Sequence, residues 1–99
     1  MADILLTFHC ALQDTEIVTA TIREYSQAPV HIAEKTVRGW DYADASTAEQ
    51  VSGLLRRHAV ELIIHEDALS GLVDAVVAAR RELPVRWHAV SVLAHGRSA

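Results

Sequence analysis

The sequence predicts a small, soluble α+β domain of the ferredoxin-like class, with the element order β-α-β-β-α-β and an antiparallel sheet covered by two helices on one face. Two observations support this class. A short apolar run, an amphipathic helical stretch and a second extended run occur in that order twice. In both halves a proline, Pro29 or Pro84, follows the helical stretch and disfavours helical geometry at the residue before it. We expect residues 1–99 to form a single domain.

The first half begins with residues 3–10, an apolar run that is typical of a buried strand. Asp14 is a suitable N-cap for the helix that follows. Apolar residues recur at helical spacing along this helix, at Val18, Ile22 and Tyr25. Residues 30–39 alternate more loosely, as expected for a more exposed strand.

The second half repeats this order, with a strand over residues 60–65 and Asp67 as the next N-cap. The helix carries one apolar stripe, formed by Leu69, Leu72, Val73, Val76 and Val77. A loop of residues 82–84 leads into a last strand over residues 85–93. The first and third strands are the most continuously apolar, which fits their usual place in the middle of this sheet.

The connection between the halves allows two interpretations. Thr47 and Gln50 have the spacing of a capping box, which favours a helix. Gly53 and the strand behind it favour a short turn and then an extended run from about residue 53, and we prefer this second interpretation. Long connections in compact domains often carry function. A partner-binding loop is therefore expected at Trp40, Asp41, Tyr42 and Asp44.

Two helices cover only one face of such a sheet, so the other face, here called the open face, must meet solvent, a ligand or another subunit. Strand alternation predicts which side chains point to the helices: Leu6, Phe8, Cys10, Val60, Leu62, Ile64 and Trp87. It predicts the following for the open face: Leu5, Thr7, His9, Glu61, Ile63, His65, Arg86 and His88. In the last strand either set could face the helices, and we prefer Trp87 inward, with Arg86 and His88 outward. This mixture of apolar and polar groups is typical of a subunit interface, and we expect a homo-oligomer.

Composition excludes several classes of function. Charged residues make up 22% of the chain and the net charge is −4, so no basic footprint for nucleic acid is present. The single Cys10 excludes an internal disulfide. No charged leader and no apolar run of about 20 residues is visible, so we expect no membrane insertion and a cytoplasmic location.

Six histidines suggest a transition-metal site. His9 and His65 lie near the ends of the two central strands, which we expect to run parallel as neighbours about 4.8 Å apart. A metal could then bind between them, with His88 from the last strand. The alternative is a set of hydrogen-bonded or solvated histidines at a subunit boundary, and no spacing such as Cys-x-x-Cys decides between the two.

Other candidate sites are weaker. Gly96 and Arg97, together with Arg86 on the open face, could hold an anionic ligand, because a guanidinium matches oxyanions well. The alternative is a frayed tail. No nucleophile elbow, phosphate loop or dinucleotide fingerprint occurs, so we expect no enzyme. A small dimeric ferredoxin-like enzyme with chemistry on the open face is the remaining alternative.

The chain resembles the P-II signalling superfamily, and within it a small P-II-like family of unknown function. The segments that carry the resemblance are residues 5–8, 29–31, 47–53, 85–87 and 95–97. It implies a homotrimer with sheets facing a central axis, ligand sites between subunits, and an exposed central loop that contacts a partner. It also implies an association with heavy-metal efflux systems of the resistance-nodulation-division type, so that a membrane transporter is one candidate partner.

The chain departs from the P-II proteins that bind adenine nucleotides. Those proteins have a longer central loop and basic residues between the second helix and the last strand. Here the corresponding loop, residues 82–84, is too short for the same phosphate clamp. The resemblance therefore does not carry a nucleotide site over to this chain, whereas a transition metal remains a candidate ligand.

Overall fold

The structure is a computed structural model and describes residues 2–39 and 44–98. The helices and strands are β1 (Asp3–Ala11), α1 (Thr15–Tyr25), β2 (His31–Val37), α2 (Thr47–Ser52), β3 (Leu55–His65), α3 (Leu69–Ala78) and β4 (Arg86–Val92). They form one antiparallel sheet in the order β2-β3-β1-β4. The predicted ferredoxin-like α+β class and the central position of β1 and β3 are therefore confirmed.

The direction of the two central strands corrects one expectation. β1 and β3 pair antiparallel, not parallel, with Asp3 opposite His65 and His9 opposite Ala59. The physical reason is topological: β1 and β2 run the same way because a helix joins them, and β3 is inserted between them in the opposite direction.

The core lies between the sheet and the two long helices. Alternation along β1 and β3 directs the predicted residues to this side, where Leu6, Phe8 and Val60 are fully buried. Val18 and Ile22 of α1 pack against them. Each such side chain contributes about 1.5–3 kcal/mol when it leaves water, so this layer is the main source of stability.

The orientation of β4 is also confirmed. Trp87 is the register partner of Phe8 and therefore lies on the helix side, although 44% of it stays exposed at the sheet edge. Arg86 and His88 are opposite His9 and Thr7, on the open face.

The segment between α3 and β4 is longer than predicted. α3 ends at Ala78, so residues 79–85 connect it to β4, not residues 82–84 alone. Arg81 holds this segment together by donating hydrogen bonds to the carbonyl oxygens of Val76 (3.2 Å), Val77 (2.9 Å) and Leu83 (2.9 Å). It thereby satisfies carbonyl groups that the end of a helix leaves without partners.

Neither predicted N-cap uses its side chain as a cap. Asp14 precedes α1, but its buried carboxylate accepts hydrogen bonds from the backbone N–H groups of Glu82 (2.9 Å) and Leu83 (3.1 Å). Asp67 lies in a 3₁₀ turn, and α3 begins at Leu69 with Ala68 at the N-cap position. Asp14 therefore ties the start of α1 to the segment before β4.

The connection contains a short helix, so the preferred interpretation as a turn is wrong, while the extended run from Leu55 is as expected. The capping box lies one residue earlier than predicted. Ser46 accepts from the N–H of Glu49 (3.2 Å), and Glu49 accepts in return from the N–H of Ser46 (3.1 Å). Gly53 ends the helix with φ of 78°, a left-handed conformation that glycine adopts without strain.

Residues 44–53, here called the connection segment, are held on the open face by Arg57. Only 6% of the Arg57 side chain is exposed, and its guanidinium donates to both carboxylate oxygens of Glu49, at 2.9 and 3.1 Å. Burial alone would raise the pKa of Glu49, but hydrogen bonds from the N–H of Arg56, from Arg57 and from the N–H of Ser46 lower it.

Among the described residues, no helix is both long and apolar enough to cross a membrane.

Glu49→Gln should destabilise the protein at pH 7 by about 3 kcal/mol, because it leaves the buried Arg57 charge without a counterion. Since the folded-state pKa of Glu49 is lowered, its contribution is present above the ordinary value of 4.5 and is lost as the pH falls through the folded-state pKa. Urea unfolding at several pH values should show that the difference in unfolding free energy between the wild type and Glu49→Gln becomes smaller below pH 4.5.

Glu34→Gln is the matched control. Glu34 of β2 pairs with Arg56, which is next to Arg57 in β3, but both side chains of this pair are at least half exposed. This substitution should have little effect. Two results would contradict the prediction. One is an equal loss of unfolding free energy in both variants, and the other is a difference between the wild type and Glu49→Gln that stays constant below pH 4.5.

Candidate functional site

Two segments cross the open face and leave a cleft at each end. The connection segment covers the end near His9 and Arg86. The tail, residues 93–98, reaches the other end, where His95 lies 3.0 Å from a carboxylate oxygen of Asp3. Between them the sheet presents Thr7, whose hydroxyl donates to Glu61 at 3.1 Å. The open face is thus partly roofed by the chain itself.

A pocket of about 340 Å³ lies between the connection segment and the sheet, and we call it the connection pocket. Val37 and Leu55 form apolar parts of its wall. Its polar lining residues come from three strands and the connection segment: His9, Arg57, Arg86 and Asp44. The volume lies at the lower end of the range of small-molecule sites, about 300–1,000 Å³.

Asp44 is held at this pocket by two arginines. The Arg57 guanidinium donates to the backbone carbonyl oxygen of Asp44. Arg86 donates from Nε to the Asp44 carboxylate. The Arg86 side chain is 67% exposed, whereas that of Asp44 is only 15% exposed. The pair therefore joins a solvated guanidinium to a mostly buried carboxylate.

His9 is the half-buried group on the sheet floor of the pocket. Its ring stacks on that of His88, with centroids 5.3 Å apart and an interplanar angle of 23°. Burial lowers the pKa of His9, and the nearby His88 and Lys35 lower it further, against a smaller opposite effect of Glu61. His9 is therefore neutral at pH 7, and its surroundings disfavour additional positive charge.

A second cleft, the tail pocket, has a volume of about 510 Å³. Leu5 and Ile63 form its apolar floor, and Glu61 and His31 are register partners on its polar side. Gly96 of the tail lines it as well, and a Cβ built on this glycine would meet no atom within 4 Å. Gly96 is therefore not required there by close packing within the chain.

The three histidines predicted as metal ligands do not come together. Antiparallel pairing separates His9 and His65 by six positions along β1, or about 20 Å at ~3.3 Å per residue. His65 lies at the tail end, 4.0 Å from Asp3 and 4.0 Å from Asp67. Only His9 and His88 are neighbours. Within residues 2–39 and 44–98, no group of three or more His, Cys, Asp or Glu side chains could hold a metal ion.

The predicted ligand-binding residues also lie apart in one chain. Arg86 lines the connection pocket, Gly96 lines the tail pocket, and Arg97 is exposed beyond it. Of the expected partner-binding loop, Asp44 is the described member. The others lie outside the described residues: Trp40, Asp41 and Tyr42.

Sequence reasoning missed Arg57 and Glu49. A short arginine pair that borders an apolar strand, such as Arg56 and Arg57, is usually part of a solvated rim, yet Arg57 is buried. Two signals pointed to it: Ser46 and Glu49 have capping-box spacing, and alternation from Glu61 through Ala59 places Arg57 on the open face.

Comparison with known proteins supports the fold and the family but assigns no activity. No curated protein matches the sequence. The structure is similar to the crystal structure of a DUF3240 family protein from Shewanella baltica OS155, with a TM-score of 0.79, 11% identity and coverage of 100% of this chain and 99% of that one. It is also similar to a functionally unknown protein from Pediococcus pentosaceus ATCC 25745, with a TM-score of 0.63, 9% identity and 99% coverage of both chains.

At these identities the two structures establish a shared fold alone. The sequence itself goes further, because a family model described as "Protein of unknown function (DUF3240)" matches residues 6–99. That match spans nearly the whole chain and leaves out only the first three residues of β1 among the strands and helices. This chain therefore belongs to the DUF3240 family.

Proposed function

We propose that this chain is a P-II-like regulatory protein, in which a small ligand in the connection pocket changes the position of the connection segment and thereby its contact with a protein partner. One observation carries the proposal. Arg86, a predicted ligand-binding residue, is ion-paired with Asp44, a member of the predicted partner-binding loop. One exposed contact thus links the two predicted sites.

The linkage follows from the chemistry of that pair. Because the Arg86 side chain is 67% exposed, water solvates the guanidinium when it leaves Asp44, and this lowers the cost of releasing the pair. A ligand that binds more tightly when Arg86 is released shifts the population of connection-segment positions. The partner, a heavy-metal efflux transporter or another protein, binds according to that position.

The proposed role is sensing, not turnover. Among the described residues that line the connection pocket, none is a serine, threonine, cysteine or lysine, and the Asp44 carboxylate is engaged by Arg86.

The open face supports assembly into a homo-oligomer, for which the P-II resemblance suggests a trimer. Val90 is half exposed there, beside its register partner Leu5. Ile63 adds apolar surface from β3. Burying such side chains between subunits is favourable by about 25 cal/mol per Å² of apolar area.

A second candidate function is transition-metal binding by His9 and His88. The stacked rings place two imidazoles side by side on the open face, and the lowered pKa of His9 keeps one of them in the neutral form that metals need. Further ligands would come from water or a second subunit, because the described part of one chain supplies no third side chain.

The assembly can be tested by light scattering. We expect a mass three times the 10.9 kDa of one chain. Val90→Asp should dissociate the trimer, because it buries an unpaired carboxylate in the interface. Val77→Asp is the matched control, since Val77 is equally exposed but lies on α3. A monomeric wild type, or dissociation by the control alone, would count against the proposed assembly.

Sensing can be tested by a thermal-shift titration of the oligomer against zinc, copper, nickel, adenine nucleotides and bicarbonate. A ligand that binds only the folded state raises the midpoint by mass action. Arg86→Gln should abolish the shift, whereas Arg56→Gln, the loss of another exposed arginine, should not. Hydrogen exchange of residues 45–52 should change on binding, and unchanged exchange with a bound ligand would refute the regulatory role.

Metal binding requires separate variants. His9→Ala and His88→Ala should each abolish a midpoint shift caused by one metal, whereas His65→Ala at the far end should keep it. Because the pKa of His9 is lowered, protons compete less, and binding should persist to a lower pH than for an ordinary histidine. Loss of binding in His65→Ala alone would refute the His9–His88 assignment.

A further inference from the structure

The two ion pairs that hold the connection segment differ in kind. Arg57 and Glu49 are only 6% and 16% exposed, and Glu49 also accepts from the backbone N–H of Arg56 at 2.8 Å. Arg86 is 67% exposed and donates through Nε to Asp44, which is only 15% exposed. Both members of the inner pair are therefore buried, whereas the outer pair has one solvated member, Arg86, whose guanidinium can change partners at lower cost.

Arg86 has binding capacity that Asp44 does not use. A guanidinium carries five N–H donors, and within the described part of the chain Asp44 accepts one of them. The two terminal nitrogens present paired donors that match the oxygens of a carboxylate or phosphate. Since Arg86 lines the connection pocket, a small oxyanion there would meet a preformed partner.

The surroundings of Arg86 suit an anion. His9 lies directly opposite Arg86 in the sheet and stacks on His88, and because it is neutral at pH 7 it offers an anion an N–H donor but no charge. Lys35 is close enough to contribute to the electrostatics of His9. Arg57 is neutralised by Glu49, and among the described pocket-lining residues Asp44 is the single carboxylate. Asp44 therefore occupies the position that a free anion would take.

We infer that the ligand of the connection pocket is a small oxyanion, a carboxylate or a phosphate, and that Asp44 is its internal competitor for Arg86. This inference rests on the proposed function and names the ligand class and the competition at that site. When an oxyanion binds the terminal nitrogens of Arg86, it shares one guanidinium with Asp44, and repulsion between the two negative charges weakens the Asp44–Arg86 contact. The Arg57–Glu49 pair meanwhile keeps α2 on the sheet. The change is therefore confined to the Asp44 end of the connection segment.

The competition predicts that removing Asp44 strengthens anion binding. A competitor reduces the apparent affinity, which is proportional to the fraction of time for which the competitor leaves the site free. We expect Asp44→Asn and Asp44→Ala to bind inorganic phosphate or malonate about fivefold more tightly than the wild type, since an exposed pair has modest strength. Arg86→Gln should bind neither probe.

Calorimetric titration at constant ionic strength tests this. Glu34→Gln is the charge-matched control, because it also removes one carboxylate from an exposed arginine pair, and its affinity should equal the wild type's. Tighter binding of both probes to the Asp44 variants supports an oxyanion site in general. Tighter binding of only phosphate or only malonate supports the inference and identifies the source of the anion.

Two results would overturn the inference. Equal affinity of wild type and Asp44 variants, lost in Arg86→Gln, would refute the competition and leave the proposed function intact. Binding of neither probe to the Asp44 variants at millimolar concentration would refute the ligand class. Conversely, tighter binding without any change in hydrogen exchange of residues 44–46, which precede α2, would support the competition and refute the regulatory role.

Discussion

The antiparallel pairing of β1 with β3 is the constraint on which the rest of this structure depends. It fixes the register from Asp3 opposite His65 to Ala11 opposite Arg57. A shift of one residue would exchange the core side chains with those of the open face, since side chains alternate along a strand. The same pairing determines which polar groups share an end of the sheet. His9 lies beside β4 near the connection segment, and His65 lies beside the tail.

A buried charge then shapes the open face. Arg57 occupies a sheet position that the connection segment covers. Its burial is tolerated because Glu49 and the carbonyl oxygen of Asp44 accept hydrogen bonds from its guanidinium. An apolar residue at that position would be compatible with many positions of the connection segment. The guanidinium is compatible with few, because its N–H donors lie in one plane and point in fixed directions. The position of Asp44 beside Arg86 is thus a consequence of how Arg57 is satisfied.

Much of the fold was predictable from residue patterns, because burial imposes period two on β1 and β3 and helical period on α1 and α3. In β4, alternation allowed either set of side chains to face the helices, and the preferred placement, with Trp87 inward and Arg86 outward, is the observed one. The parallel direction expected for β1 and β3 conflicted with the antiparallel sheet of the predicted class, in which β3 lies between β1 and β2 and runs opposite to both. The partners of Asp14 and Arg57 were hidden for another reason: local rules favour an N-cap and a solvated rim, whereas their actual partners are brought together by the folded chain.

The Asp14 contact has a consequence for interpreting mutational screens of this protein. Its carboxylate fixes the backbone at residues 82 and 83, directly before Pro84 and Arg86 at the pocket wall. Variants at Asp14 would move that wall without touching a ligand. A screen scored on ligand response alone would therefore group Asp14 with the pocket residues. Only a parallel readout of folding would separate a residue that supports the pocket wall from one that contacts the ligand.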